Sequence, residues 1–503
     1  MKQPATDVFD LIKALSQNEK TYFKKQAKLH VLGDGNLYVL LFDEIVKQTI
    51  YNEEQLLKKL NCGKRMFAVT KNYLYSQILY SLANYKSSLN AQVRYLLSNV
   101  EILFDKSLIP QCIKQIEKAK KICRQFELFE EMLEVLRWDY RLAVKKFDMT
   151  HRMKVLKEEN NILKLLNNQK IYRDLANNFS LKYQQYGAER SSKDLVEMKK
   201  LLHNSFLKDE NKALCLRAKQ NFYDCHYLFS QIKGDFKKSY HFSKKMTDMY
   251  HENPGMISLN TTSYLTAINN FLVASNGLLR YDEMRQYISK LEATRMNLKS
   301  SSDKATAFFY LYNLLNYFIS TGKFNEAEQD VKRIEKEMVE HETNLNQLQK
   351  IILYATISQI YFGQENYKRC LSCLNKIISF GEMKARTDIE GFIRIFQFIV
   401  RYEMKSDMYL MNSLFKSTYR FLDKQQRLYK FELVMMEFIR NNMIKKIRRN
   451  NIKKEFFLLK EKLILLSKNK YEQHAFEYFD YISWLESKIE NKSFAEVVRG
   501  KAK

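Results

Sequence analysis

The chain has 503 residues, of which only 12 are glycine and 3 are proline. That length suits several domains or one extended array, and so few turn residues exclude a many-stranded β protein. Lysine and arginine number 84 against 57 acidic residues, a formal net charge of +27. This excess favours acidic partners such as nucleic acid, an anionic membrane or an acidic protein, although charge so dispersed is equally typical of a lysine-rich composition.

The expected compartment is the cytoplasm, and no membrane span is expected. The first residues include Asp7 and Asp10 and lack the apolar stretch of a secretory signal. Nowhere do about 18 consecutive apolar residues occur, the length that a transmembrane helix needs. The seven cysteines are odd in number and form no regular disulfide framework, which is typical of a reducing compartment.

Residues 1–88 predict a small N-terminal helical domain. Apolar spacing predicts short helices over Val8–Ala14 and Leu37–Thr49, with a turn at 33–36 between them. Ser16 and Glu19 have the spacing of a capping box, so a helix should begin there and run to about Leu29. Asn52 should cap a short helix over 53–60, and a longer helix should cover 65–86.

The last two of these helices flank a tight turn at Gly63, an arrangement that can form a helix-turn-helix. Lys64, Arg65, Lys71 and Asn72 would then face DNA. The alternative is a helical cap that shields the first repeat, which the apolar and aromatic character of the second helix favours. Both interpretations stay open at this stage.

From about residue 89 to 470 the chain predicts a repeating array of helical hairpins. An aromatic or apolar residue, followed three positions later by a smaller or unbranched one, marks the bend where two helices meet. Such residues recur at intervals of 41 to 45 from Leu195 onward, a period of about 43, and at twice that interval between Ile109 and Leu195. The positions are Ile109, Leu195, Phe236, Tyr281, Phe324, Tyr367 and Tyr409.

Each hairpin should bury one apolar stripe per helix. In residues 308–338 the stripes have helical spacing, with Phe308, Leu311 and Leu315 on the first helix and Val331 and Ile334 on the second. An isolated hairpin cannot cover such stripes, whereas stacked neighbours can. The predicted fold is therefore all-α and built from stacked hairpins.

Residues 445–470 are strongly basic, with apolar residues interleaved at helical spacing. This segment is the sharpest sequence candidate for an anion-binding surface, and the alternative is a solvated face of the last repeat. The candidate residues are Lys445, Lys446, Arg448, Arg449, Lys453 and Lys454. Residues 471–503 predict an amphipathic helix that caps the array, followed by a short tail.

No constellation of residues predicts catalysis or a cofactor. Phosphate-binding loops, dinucleotide fingerprints, zinc-protease motifs and nucleophile elbows are all missing from the sequence. Cys370 and Cys373 form one CxxC pair without the further ligands that a structural zinc site needs. We therefore expect a protein that is not an enzyme and binds no cofactor or metal, with an unrecognised hydrolase site as a weaker alternative.

The bend segments 322–327 (GKFNEA) and 365–370 (ENYKRC) resemble the middle of tetratricopeptide repeats. Segments 11–23 (LIKALSQNEKTYF) and 479–486 (FDYISWLE) resemble the two ends of an uncharacterised family of bacterial cytoplasmic tetratricopeptide-like proteins. The resemblance implies a right-handed α-solenoid whose first helices line a concave face that docks an extended peptide or partner helix. The repeat consensus is degenerate, because its tryptophan, Leu-Gly pair and final proline are mostly missing.

Alignment of the bend aromatics with the repeat implies which side chains lie on that concave face. They are Asn269, Tyr312, Asn316, Gln359, Gln397 and Arg401. Amides there can bind a peptide backbone, and Arg401 a carboxylate. The leading hypothesis is a protein–protein interaction scaffold with an unidentified protein or peptide partner. The alternative is a nucleic-acid-binding or transcription-regulatory protein that uses its basic helices on nucleic acid or another polyanion.

Overall fold

The computed structural model describes residues 6–29, 37–85, 88–186, 192–298, 300–381, 386–444, 452–469 and 471–502. Within these ranges all regular structure is helical and no β-strand occurs, so the predicted all-α class is confirmed. The chain forms two compact units, Met1–Leu163 and Lys164–Lys503.

Five helices at the start of the first unit pack around one apolar core. They are α1 (Asp7–Ala14), α2 (Gln17–Leu29), α3 (Leu37–Lys47), α4 (Glu53–Leu60) and α5 (Lys64–Tyr85). Ser16 and Glu19 form the predicted capping box, with the Ser16 N–H donating to Glu19 Oε2 at 2.8 Å. Asn52 caps α4 by accepting from the Gln55 N–H at 3.0 Å, as predicted. The predicted turn at 33–36 lies outside the described residues.

Four further helices follow, and the last contains the boundary between the units. They are α6 (Leu89–Asp105), α7 (Ile109–Phe126), α8 (Phe129–Lys145) and α9 (Met149–Tyr186). Pro110 lies in the first turn of α7, where its missing N–H is harmless. The 38-residue α9 occupies the stretch in which the 43-residue period leaves one bend unclear. No glycine or proline interrupts those residues, so the helix continues.

A buried ion pair joins α7 to α8 in the first unit. Lys120 Nζ lies 2.5 Å from Asp139 Oδ2, and both residues are 4% exposed. The other oxygen of Asp139 lies 2.9 Å from Nε2 of His151 on α9. One buried carboxylate therefore ties three helices together.

In the second unit most helices pack against their neighbours in the chain. The α-helices after α9 are α10 (Ser192–Leu202), α11 (Leu216–Lys233), α12 (Phe236–Glu252), α13 (Gly255–Leu259), α14 (Thr261–Gly277), α15 (Tyr281–Met296), α16 (Ser301–Phe309), α17 (Tyr312–Thr321), α18 (Glu328–Glu340), α19 (Gln347–Gly363), α20 (Tyr367–Ser379), α21 (Thr387–Glu403), α22 (Met408–Lys424), α23 (Lys430–Phe438), α24 (Ile452–Ser467), α25 (Tyr481–Glu490) and α26 (Phe494–Lys501). Short 3₁₀ turns cover Ser205–Leu207, Glu210–Lys212 and Gln473–Glu477, and a π-helical turn covers Ile439–Ile444.

The bends between paired helices share one backbone conformation. A residue with positive φ recurs every 40 to 45 positions, at Gly234, Leu279, Gly322, Glu365 and Lys405. The N–H of the next residue donates to the carbonyl five positions back, as from Asp235 to Ser230 at 2.9 Å and from Asn366 to Tyr361 at 2.8 Å. These are the six-to-one bonds of the Schellman motif, which satisfy carbonyls at the end of the first helix.

Two bend aromatics pack on a glycine of the following hairpin. Phe236 lies against Gly277, and Phe324 lies against Gly363 at the end of α19. A β-carbon at Gly363 would come within 2.2 Å of the Phe324 ring, so only glycine fits there without a shift. The bend residue Tyr409 differs, since it is 88% exposed whereas Phe324 is 1% exposed.

The C-terminal helices contact hairpins far earlier in the chain. Phe494 on α26 lies with its ring centroid 5.7 Å from that of Phe324 and 5.3 Å from that of Phe362. The Arg499 side chain bonds to the carbonyl of Gly322, 177 positions earlier. The expected tail after residue 490 is instead a helix with its own capping box, formed by Ser493 and Glu496.

We expect Gly363→Ala to destabilise the protein by about 1–3 kcal/mol, because the new methyl group displaces the packed Phe324 ring. Chemical denaturation measures this change. Gly500→Ala is the matched control, since a β-carbon there meets no atom within 4 Å and alanine favours the helix. Equal effects of the two substitutions would contradict the packing argument.

We expect Asp139→Asn to lower the free energy of unfolding by about 3 kcal/mol, because Lys120 stays buried and loses its closest countercharge. The control is Asp174→Asn, which removes an exposed pair with Lys170 and should change stability by less than about 0.5 kcal/mol. A change of similar size in both variants would show that the Asp139 ion pair has no special role.

Candidate functional site

Polar side chains follow one face of α14 and meet the next first helix, which is divided into α16 and α17. Thr262 donates to Asp303 at 2.7 Å, and the hydroxyls of Thr266 and Tyr310 lie 3.1 Å apart. Further along, Ser320 donates to Asn276 at 2.8 Å. These pairs are separated by 41 to 44 positions in the chain. We call the two rows of side chains the polar ladder.

Asn269 lies at the centre of the polar ladder. Its side-chain oxygen accepts from the Tyr312 hydroxyl at 2.9 Å and from the Asn313 amide at 2.9 Å. Two residues of the predicted concave face, Asn269 and Tyr312, are therefore in direct contact. Asn313 is 1% exposed, and its Oδ1 accepts no hydrogen bond from the described residues. A buried acceptor in that state costs about 1–3 kcal/mol.

The division of this first helix has a local cause. The Asn313 side chain donates to the Tyr310 carbonyl at 3.0 Å, and the Asn313 N–H donates to the same carbonyl at 3.1 Å. Both bonds reach back three positions and replace the usual four-residue step, so the helix tightens there. The tight turn places Tyr310, Tyr312 and Asn313 together beside α14.

A group of tyrosines lies close to this turn. Tyr227 on α11 and Tyr183 on α9 interact electrostatically with Tyr312. Burial raises the pKa of all three phenols above the usual range. The phenols are therefore neutral at physiological pH, and they serve as hydrogen-bond donors, acceptors and aromatic surfaces.

Asp224 on α11 is the acidic member of this group. Its carboxyl interacts electrostatically with Tyr227 and Tyr310 and is hydrogen-bonded to Gln220. Loss of hydration raises the pKa of Asp224 to about 7, against the opposing effect of the Gln220 hydrogen bond. Nothing in the sequence distinguishes Asp224 from a solvated aspartate, because the cause of its raised pKa lies in the tertiary surroundings.

The other predicted concave-face residues lie on α17, α19 and α21. Asn316 and Gln359 are half-buried. Gln397 is 3% exposed and donates to Asn375 Oδ1 on α20 at 3.3 Å. Arg401 is half-buried, burial lowers the pKa of its guanidinium, and its Nε has no hydrogen-bond partner among the described residues.

A second polar cluster joins the start of α21 to the segment before α25. Arg386 donates to both carboxylate oxygens of Asp388, at 3.1 and 3.0 Å, and to the Tyr478 hydroxyl at 3.1 Å. Burial would raise the pKa of Asp388, but the Arg386 guanidinium lowers it, so the carboxylate stays charged. The guanidinium also lies 5.7 Å from the centroid of the Tyr183 ring. Arg386 and Tyr478 are 92 positions apart in the chain, so the sequence does not predict this cluster.

A small cavity of about 20 Å³ adjoins this cluster. Asp388, Arg427, His474 and Tyr478 are among its lining residues. Its volume holds about one water molecule, too little for a substrate. We therefore regard the Arg386–Asp388–Tyr478 cluster as a structural link between distant segments.

The predicted anion-binding residues are only partly described. Lys453 and Lys454 are exposed at the start of α24, whereas Lys445, Lys446, Arg448 and Arg449 lie outside the described residues. On α5, Lys64, Arg65 and Asn72 are exposed, but Lys71 lies 3.1 Å from Glu53 with its side chain 15% exposed. Three of the four residues of the helix-turn-helix hypothesis are thus accessible.

The described residues contain neither a metal-binding cluster nor a helix that could span a membrane. No three histidine, cysteine or acidic side chains there are placed to hold a metal ion. Cys370 and Cys373 are buried on α20, and burial raises the pKa of both thiols. Every described helix is too short or too polar to span a bilayer.

The fold and the polar ladder define the class of this protein as all-α, with helices joined by repeated bends. Comparison with known proteins adds no narrower identity. No family model, no curated protein and no solved structure matches the chain.

We expect Asp224→Asn to raise stability at pH 8 by about 1–3 kcal/mol and to flatten the pH dependence. The folded carboxyl keeps its proton up to pH about 7, whereas the unfolded carboxyl loses it near 3.8. The folded state therefore binds more protons between these values, and the contribution of Asp224 to stability falls as pH rises through this window. Asparagine resembles the protonated form and does not titrate.

Urea unfolding between pH 4 and pH 8 measures this effect. Asp105→Asn, at an exposed position on α6, is the control and should leave the slope unchanged. If Asp224→Asn has the same pH slope as the wild-type protein, the pKa of the Asp224 carboxyl is not raised as described.

Proposed function

We propose that this protein is a non-enzymatic interaction scaffold of the cytoplasm. In this proposal the helical hairpins form a right-handed, tetratricopeptide-like α-solenoid, and its concave face binds a peptide or a partner helix. The face consists of the first helices of successive hairpins. The odd number of cysteines and their lack of a regular disulfide framework in the sequence support a reducing compartment.

The observation that carries the proposal is the spacing of the polar ladder. Its pairs lie 41 to 44 positions apart, close to the period of the bends. Stacked repeats bring equivalent positions of neighbouring first helices together, and this spacing is what such stacking predicts. The second helices of neighbouring hairpins show the same spacing, because Arg295 pairs with Glu337 and Arg333 pairs with Glu292, 42 and 41 positions apart.

The chemistry of the face supports a peptide ligand. Amide and hydroxyl groups such as those of Asn269, Asn316 and Gln359 can donate to and accept from a peptide backbone. The neutral tyrosines add aromatic surface with few rotatable bonds, which lowers the entropy lost on binding. Burial holds the phenols of Tyr227 and Tyr312 protonated, so neither of these two side chains is an activated nucleophile.

The test is affinity capture from native lysate with the full chain, with and without nuclease, followed by mass spectrometry. Asn316→Arg/Gln359→Arg changes the proposed inner face at half-buried positions. Gln329→Arg/Ser372→Arg adds the same charge at exposed positions of the second helices. We expect stoichiometric protein partners that survive nuclease, that decrease at least fivefold with the inner-face variant, and that persist with the control variant.

Two results would contradict this proposal. The first is that nuclease removes the partners and that nucleic acid is recovered when nuclease is left out. This result would favour the alternative in which the protein binds nucleic acid with α5 or with the basic segment 445–470. Equal loss of partners in the two variants would show that binding does not depend on the first-helix face.

A further inference from the structure

The first unit contains an open groove that the polar ladder does not involve. It has a volume of about 690 Å³ and lies among the end of α5, α6 and α7. That volume falls within the range of about 300–1,000 Å³ typical of ligand pockets. The lining residues are Ala83, Asn84, Ala91, Gln92, Tyr95, Leu96, Lys118, Lys121 and Ile122.

The wall of this groove is mainly apolar and includes an exposed ring. Ala83 and Ala91 are small and leave room for close approach, while Leu96 and Ile122 are half-buried. The Tyr95 side chain is 69% exposed although it has a large apolar surface. A large aromatic side chain so exposed beside other apolar groups is typical of an interaction site.

The charged residues that line the groove are all basic. Lys118 and Lys121 lie one turn apart on α7, are exposed, and form no ion pair with a described residue. Lys114 extends the row by one turn, because positions four and seven apart share a helix face. Glu117, the one acidic residue of α7, lies 3.9 Å from Lys120 instead. No lining residue is acidic.

We propose that this groove is a docking site for an acidic amphipathic helix of a partner protein. Apolar side chains at positions i, i+3 or i+4, and i+7 of that helix fill the trough beside Tyr95 and Ile122. Its carboxylates meet Lys118 and Lys121, which form no ion pair with any residue that the structure describes. The apolar wall argues against nucleic acid, because alanine, leucine and isoleucine offer phosphates and base edges no hydrogen bond.

Fluorescence anisotropy with the full-length protein tests this docking site. The probe is a labelled 15-residue peptide with leucines at helical spacing and glutamates elsewhere. Two comparison peptides replace the leucines by alanine or the glutamates by lysine, and an unlabelled DNA duplex serves as competitor. We expect the Glu/Leu peptide to bind at least tenfold more tightly than either comparison peptide, with affinity that falls as salt rises.

Variants of exposed residues identify the surface. Lys118→Glu/Lys121→Glu should weaken binding of the Glu/Leu peptide at least tenfold, and Tyr95→Ala about fivefold. Lys154→Glu/Lys157→Glu reverses two exposed lysines on α9 outside the groove and should change affinity less than twofold. Circular dichroism and thermal unfolding verify that each variant keeps the fold.

Three results would overturn the proposal. They are no measurable binding of the Glu/Leu peptide, equal binding of the alanine-substituted peptide, and equal weakening by the α9 control variant. The duplex could also displace the peptide in a way that requires Lys118 and Lys121 but not Tyr95. This further result would overturn the proposal as well, because it would show that the two lysines bind nucleic acid.

Discussion

The packing of one hairpin on the next is the constraint on which the second unit depends. Each helix buries an apolar stripe that it cannot cover alone, so the bends must bring neighbours close together. Phe324 illustrates this requirement, because its ring fills the space that a β-carbon at Gly363 would need. Phe494 then packs on the same ring from the C-terminal helix. Residues from three separate parts of the chain therefore meet at this one bend.

The same spacing organises the polar groups. Side chains of α14 meet partners 41 to 44 positions later in the chain, and the side-chain oxygen of Asn269 accepts from both Tyr312 and Asn313 of the next hairpin. Hydrogen bonds of this kind satisfy polar atoms that stacking removes from water. Asp224 is hydrogen-bonded to Gln220 as well, but loss of hydration raises the pKa of its carboxyl and favours the neutral form. The groups that meet at the polar ladder are thus mainly neutral amides, hydroxyls and phenols.

The candidate sites differ in how far they could be predicted. Asn269 and Tyr312 were selected by position within the repeat, and the structure places them in contact because bend spacing carries register from one hairpin to the next. Asp224 and the groove beside Tyr95 were missed. A carboxyl with a raised pKa differs from an ordinary one only through its surroundings, and a groove exists only where three helices leave space between them.

The sequence by itself determined the helical class, the caps at Ser16 and Asn52, and the recurrence of the bends. These features depend on interactions within a few residues or on the periodicity of apolar side chains. Only the tertiary structure decided the continuous α9, the non-glycine bend at Glu365 and the cluster of Arg386 with Tyr478. Such features depend on burial and on partners up to 240 positions apart, as with Gln473 and the Lys233 carbonyl, and local sequence carries no record of which distant residues will meet.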